Sequence, residues 1–166
     1  KLNKPFGTPN DPSYSQQWGY FNATAGIRAD QACNLGNGAG VVVAVLDTGI
    51  TNHSDLNANV IAGYDFIKDV TEANDGNGRD SDAHDPGDWA PAGACGAGSA
   101  AENSSWHGTH VAGTVAAVTN NAKGVAGVAF NAKVQPLRAL GKCGGYNSDI
   151  ADAIVWASGG TVAGVP

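Results

Sequence analysis

Two stretches carry acid–base side chains that stand out by where they fall. Asp47 ends the apolar run Val41-Val42-Val43-Ala44-Val45-Leu46 and is followed by Thr48-Gly49. A short, unbroken, mostly β-branched run bounded by glycines reads as a buried parallel strand. In an open α/β sheet the chemistry lies just past the carboxyl ends of such strands, and Asp47 sits there. An aspartate in that place can equally cap its own turn, and on this stretch alone both readings stand. His107 and His110 lie in the stretch from Ser105 to Ala117. Ser104 or Ser105 can cap a helix start; His107 then falls in the first turn and His110 one turn further in. A neutral imidazole at such a rim can take up a proton near neutral pH. A His-x-x-His pair could instead hold a metal, making a hydrolase of Asp47, His107 and His110. Hydrolytic zinc helices, however, space their histidines by four with a Glu between; here the spacing is three, with Gly108-Thr109 between them.

A third cluster is acidic. Between Asp65 and Asp88 there are eight acids (Asp65, Asp69, Glu72, Asp75, Asp80, Asp82, Asp85, Asp88) against Lys68 and Arg79. So many like charges repel unless a cation lies among them. Calcium takes mixed carboxylate and carbonyl oxygens, and Asp65, Asp75, Asp80 and Asp82 with their glycine turns are candidate ligands. The spacing is not that of an EF-hand, and a solvated acidic loop is the alternative.

The elements that must position these groups follow from periodicity. After an irregular opening arm, 5–20, residues 22–35 predict a short helix ending at Gly36, and the Asp47 strand follows. Residues 60–66 predict a short strand. A long irregular connection, the mark of a functional or ligand-ordered loop, runs through the acidic segment and a Gly/Ala-rich stretch, 90–101. A helix is predicted from about His107 to Val118, a strand over 133–140 with Pro136 in an irregular place, and a helix over 148–157. Strand, crossover with a helix, strand, helix predicts an α/β fold with a parallel sheet and right-handed crossovers.

Asp-Thr-Gly after an apolar strand and His-Gly-Thr-His-Val-Ala-Gly-Thr 60 positions later resemble the aspartate and histidine motifs of the subtilases, the subtilisin-like serine proteases. The resemblance covers nearly the whole chain and implies a three-layer α/β/α fold, of which these residues are roughly the first half. Residues 1–166 would then be the amino-terminal part of one peptidase catalytic domain. It implies Asp47 as the orienting carboxylate, His107 as the general base and His110 in a structural hydrogen bond. It implies that Leu140, Gly141, Gly144, Gly145 and Tyr146 form a substrate edge, where an extended peptide pairs with exposed backbone. A Gly-rich strand-to-helix turn is the plainer reading of that segment. It also implies a calcium site from Asp11, Asp55, Val118, Asn121, Lys123 and Val125, of which Val118, Lys123 and Val125 could give only carbonyls. The family's nucleophile, in a Gly-Thr-Ser motif, does not occur among these residues. The resemblance therefore implies a secreted endopeptidase that hydrolyses peptide bonds through an acyl-enzyme, with the serine in a carboxyl-terminal half that would be this chain's partner. The alternative is a non-catalytic, calcium-stabilised peptide-binding fragment or pseudoenzyme.

Composition is consistent with this. With 42% hydrophobic residues and 24 glycines the chain is globular and turn-rich rather than disordered. The net charge of −6 resides in the acidic segment, so no basic patch is left for nucleic acid. No apolar run reaches the ~18 residues of a membrane span. The opening Lys1-Leu2-Asn3-Lys4-Pro5 has no apolar stretch behind it, which a processed secreted protein and a cytosolic one would both show; it is the resemblance that implies secretion. Cys33, Cys95 and Cys143 make an odd count; Cys95 and Cys143 both lie in Gly-rich loops and are the expected disulfide, with free buried thiols as the alternative.

Overall fold

A computed structural model describes residues 7–166. In chain order the elements are α1 (Trp18–Phe21), α2 (Ala29–Ala32), β1 (Val42–Asp47), β2 (Tyr64–Asp65), α3 (Val70–Ala73), α4 (His107–Ala116), β3 (Lys133–Arg138) and α5 (Asn147–Ala157). The strands form one sheet in the order β1-β3-β2. β2 runs parallel to β3, with Tyr64 opposite Leu137 and Asp65 opposite Arg138. On the other side the Lys133 amide donates to Val41 and the Ala139 amide to Asp47, a register that rises together and so is parallel. The α/β reading with a parallel sheet holds.

The chain divides into two compact units. One takes in residues up to Val43, Asn52–Val60 and Val111–Val134. Its core gathers Tyr14, Tyr20, Ala29 and Ala126, with Tyr14 edge-on to Tyr20 at 6.3 Å. The buried Tyr20 hydroxyl donates to the Thr114 carbonyl at 3.0 Å, as a phenol taken out of water must. The other comprises Ala44–Thr51, Ile61–His110 and Gln135–Pro166. There Tyr64, Phe66, Leu137, Ala139 and Ala153 close around each other, and Phe66 meets Trp156 of α5 edge-on at 5.9 Å. α5 turns Ile150, Ala153 and Trp156 to this cluster, a three-residue repeat that follows one helical face.

Several boundaries differ from expectation, each for a local reason. The helix over 22–35 shrinks to α2. Asn22 Oδ1 accepts from the Thr24 and Ala25 amides, a turn that competes with helix, and Arg28 is left-handed at φ 56°. The strand over 60–66 shrinks to β2. Val60 still bridges Val134, but the register shifts by one residue before Tyr64. Pro136 lies opposite that break and has no N–H for the ladder. The acidic connection contains α3, unpredicted, with Asp69 capping the Thr71 and Glu72 amides. Asp69-x-x-Glu72 is a capping signature that the sequence displayed.

α4 owes its close packing to small residues. Gly108, Ala112 and Ala116 are buried at four-residue spacing, one face of the helix. A Cβ on Gly108 would lie 2.3 Å from the Gly49 carbonyl oxygen, so only glycine allows the approach.

Candidate active site

Asp47 is the last residue of β1 and is buried. Its carbonyl accepts from the Ala139 and Leu140 amides at 2.9 and 3.1 Å, and its Oδ1 accepts from the Thr48 amide at 2.7 Å. The carboxylate is thereby held in one orientation. His107 is the first residue of α4. Trp106 before it is left-handed at φ 54°, a sparsely populated conformation for a bulky residue. Ser105 fixes that turn: its hydroxyl accepts from the His107 amide at 3.2 Å and donates to Asp88 at 2.7 Å. The result is that His107 Nδ1 lies 2.9 and 2.8 Å from the two oxygens of Asp47.

An ionised carboxylate only accepts hydrogen bonds, so Nδ1 carries the proton and donates to Asp47. Nε2, the other ring nitrogen, is then the basic one. The His107 side chain is 63% exposed while that of Asp47 is 9% exposed, so the imidazole stands open to solvent on a buried anion. Contrary to expectation, His110 does not lie deeper than His107; it is exposed, because the buried face of α4 runs through Gly108, Ala112 and Ala116.

His107 borders a cleft of about 420 Å³, lined also by Thr48, Asp88, Glu102, Leu140, Gly141 and Gly144 among others. Cys95 and Cys143 line it too and form a disulfide with an S–S distance of 2.00 Å, leaving Cys33 as a free thiol. Gly145 and Tyr146 border a smaller adjoining recess. The expected edge residues thus gather beside His107, but not as an open strand. Gly141 and Gly144 spend their own amides and carbonyls on each other, at 2.7 and 3.1 Å. Cys143 and Gly144, at φ 67° and 104°, turn the chain back on itself. Thr48, Asp85, Asp88 and Ser105 were not foreseen as site residues, although Thr48 lies in the Asp-Thr-Gly motif, Asp85 and Asp88 in the acidic segment and Ser105 at the helix start.

The two candidate calcium sites come out differently. Asp11 and Asp55 are both buried and converge on the loop 118–125. Asp11 accepts from the Asn120 and Asn121 amides. Asp55 accepts from the Val125 amide at 3.0 Å and from Asn121 Nδ2 at 2.7 Å. No ion pair among the described residues answers either charge. Two buried carboxylates answered by amide donors alone are costly, although they do not form a group of three acidic, histidine or cysteine side chains suited to a metal. Val118, Lys123 and Val125 belong to the same loop and would give carbonyl oxygens.

The acidic loop does not fit a divalent ion. Arg138 Nη1 pairs with both Asp65 and Asp75, and its Nη2 donates to the Ala73 carbonyl. Asp80 accepts from Asn77 Nδ2 and the Asp82 amide, and Asp82 from the His84 amide. No group of three acidic, histidine or cysteine side chains suited to a metal occurs among the described residues. The repulsion among these acids is relieved by a base from outside the segment. Arg138 comes from β3, and Arg79 turns outward to Asp149 and Asp152 of α5 at 2.9 and 2.6 Å.

Residues 38–163 match the model of the subtilase family. The chain belongs to that family. It is 66% identical to an extracellular protease of Xanthomonas campestris, over 96% of this chain and 27% of that protein. It is 53% identical to an extracellular basic protease of Dichelobacter nodosus, over its whole length and 28% of the relative. Among solved structures it resembles a protease of Pseudoalteromonas arctica, with a TM-score of 0.94 at 62% identity, over 96% of this chain and 47% of that one. The chain therefore spans little more than a quarter of the length of these two curated relatives.

Proposed function

We propose that these residues are the amino-terminal part of the catalytic domain of an extracellular subtilase that hydrolyses peptide bonds. Both compact units belong to that one domain. The observation that carries the reading is the short contact of His107 Nδ1 with the buried Asp47, with the opposite ring nitrogen left basic beside a cleft. In this reading a peptide or protein substrate lies along the cleft, and His107 Nε2 takes the proton of a serine supplied by the carboxyl-terminal remainder. That serine attacks the scissile carbonyl, and His107 returns the proton to the leaving amine. Asp47 keeps the tautomer and stabilises the imidazolium between these steps. Secretion accords with the disulfide and with the names of the two relatives. Calcium bound by Asp11, Asp55, Asn121 and the carbonyls of the 118–125 loop would neutralise buried charge and so stabilise the fold.

The 166-residue chain by itself is then inert, since it supplies the base and its orienting group but no nucleophile. β1 is an outer strand of the sheet, and an unpaired edge invites association, so the carboxyl-terminal half is its natural partner. A fluorophosphonate probe tests the reading, because it labels only activated serines. The full-length protein should be labelled beyond residue 166, and His107→Ala should abolish labelling. Labelling of the isolated 166-residue chain, or of His107→Ala, would contradict it. A folded full-length protein that is never labelled but still binds peptides would favour the non-catalytic alternative.

A further inference from the structure

Behind the His107–Asp47 pair lies a second buried carboxylate. Asp85 is 1% exposed, and no ion pair among the described residues answers its charge. Its oxygens go to neutral donors: Oδ1 accepts from the Gly87 amide at 2.8 Å and Oδ2 from the Thr48 hydroxyl at 2.6 Å. Thr48 Oγ1 in turn accepts from the Gly108 amide at 3.0 Å, while the Thr48 amide donates to Asp47.

The direction of this chain is set by proton count. A hydroxyl has one proton and two lone pairs. With that proton committed to Asp85, the lone pairs are left for Gly108. The Gly108 N–H is among the first of α4 and has no partner within the helix. The turn after β1 therefore caps the helix that carries His107, and Asp85 decides which way the cap points. The loop bearing Asp85 does not need that side chain as an anchor. Backbone bonds from Ile50 to Ala83 and from Asp85 to Ile50, both 3.0 Å, already hold it.

We infer that Asp85 is a positioning residue for the catalytic base: through Thr48 it fixes the start of α4 so that His107 meets Asp47. The inference rests on the protease reading above. It deepens that reading by adding Asp85 and Thr48 to the machinery. An amide at position 85 could not do the same. It would set its NH2 against the Gly87 N–H, or donate to Thr48 and leave the threonine proton without an acceptor.

The test uses the full-length protein with Thr48→Val, Thr48→Ser and Asp85→Asn, singly and with Thr48→Val and Asp85→Asn combined. Displacing a catalytic group by about 1 Å can cost ~100-fold in rate. Thr48→Val and Asp85→Asn should lower kcat by about 10- to 100-fold with KM nearly unchanged, and the double variant should lose little more than either. Thr48→Ser, which keeps the hydroxyl, should retain most activity. Hydrogen exchange at the Gly108 amide should quicken in Thr48→Val and Asp85→Asn but not in Thr48→Ser. Unchanged kcat in Thr48→Val, additive losses, or unchanged Gly108 exchange would overturn the inference. If Asp85→Asn fails to fold, the Thr48→Val and Thr48→Ser pair decides. If the parent protein folds but cleaves nothing, the protease reading fails, and Gly108 exchange still decides whether Asp85 and Thr48 hold the helix.

Discussion

Asp65 and Arg138 are both almost wholly buried and meet from 73 residues apart. Burial pushes the Asp65 carboxyl up to about 7 from an ordinary 3.8, against the opposing pull of the Ile67 amide and Arg138. Because the pKa is raised in the folded state, the folded protein holds this proton more tightly than the unfolded chain. The stability so gained is complete below about 3.8 and is lost as pH rises through about 7. Asp65→Asn is neutral throughout, and Asp75 remains 2.6 Å from Arg138 to answer its charge. Guanidinium unfolding of the full-length protein at several pH values should therefore show the variant gaining on the parent as pH rises from about 4 to about 8. A difference independent of pH would contradict the assignment.

α4 is the element on which the site turns, and its glycines divide by what surrounds them. At Gly108 an added methyl meets the Gly49 carbonyl oxygen at 2.3 Å, whereas at Gly113 it meets nothing within 4 Å. Alanine is favoured over glycine in a helix by ~1 kcal/mol. Overpacking against rigid backbone costs about 1–3 kcal/mol, so at Gly108 the clash wins. Gly108→Ala should lower stability by about 1–2 kcal/mol and reduce kcat, because the shift falls next to His107. Gly113→Ala should raise stability by about 0.5–1 kcal/mol with kcat unchanged. Calorimetry and steady-state kinetics on the two variants check this; equal melting temperatures would refute it.

Among the described residues, two arrangements of charge stand in contrast. Arg138 and Arg79 gather acids from the acidic segment and α5, while Asp11 and Asp55 are buried with amide donors alone. The second arrangement is the one that a divalent cation would stabilise. An ion bound only by the folded state adds ~2.7 kcal/mol at a hundred times its dissociation constant. Chelation should lower the melting temperature of the full-length protein by several degrees, and Asp55→Asn should abolish most of that dependence. Melting indifferent to chelator would count against calcium. Substitutions in the acidic loop, such as Asp80→Asn, should leave the calcium response intact.

Local features were legible in the chain before folding. Asp47 at a strand end and His107 at a helix start follow from an apolar run, glycine turns and capping residues, all within about ten positions of the group they place. The family motifs added their roles. Tertiary structure decided the partners. Nothing near Asp65 in the chain announces Arg138, and nothing near Thr48 announces Asp85, because side-chain pairs across 73 and 37 residues depend on which strand and loop the fold brings together. The acidic segment shows the difference most clearly. Read alone it called for a cation; folded, it receives arginine from β3, and Asp69, Asp80, Asp82, Asp85 and Asp88 accept from amides and from the hydroxyls of Thr48 and Ser105. A local pattern fixes a residue's conformation and face, but the charge that it meets is fixed only when distant segments pack.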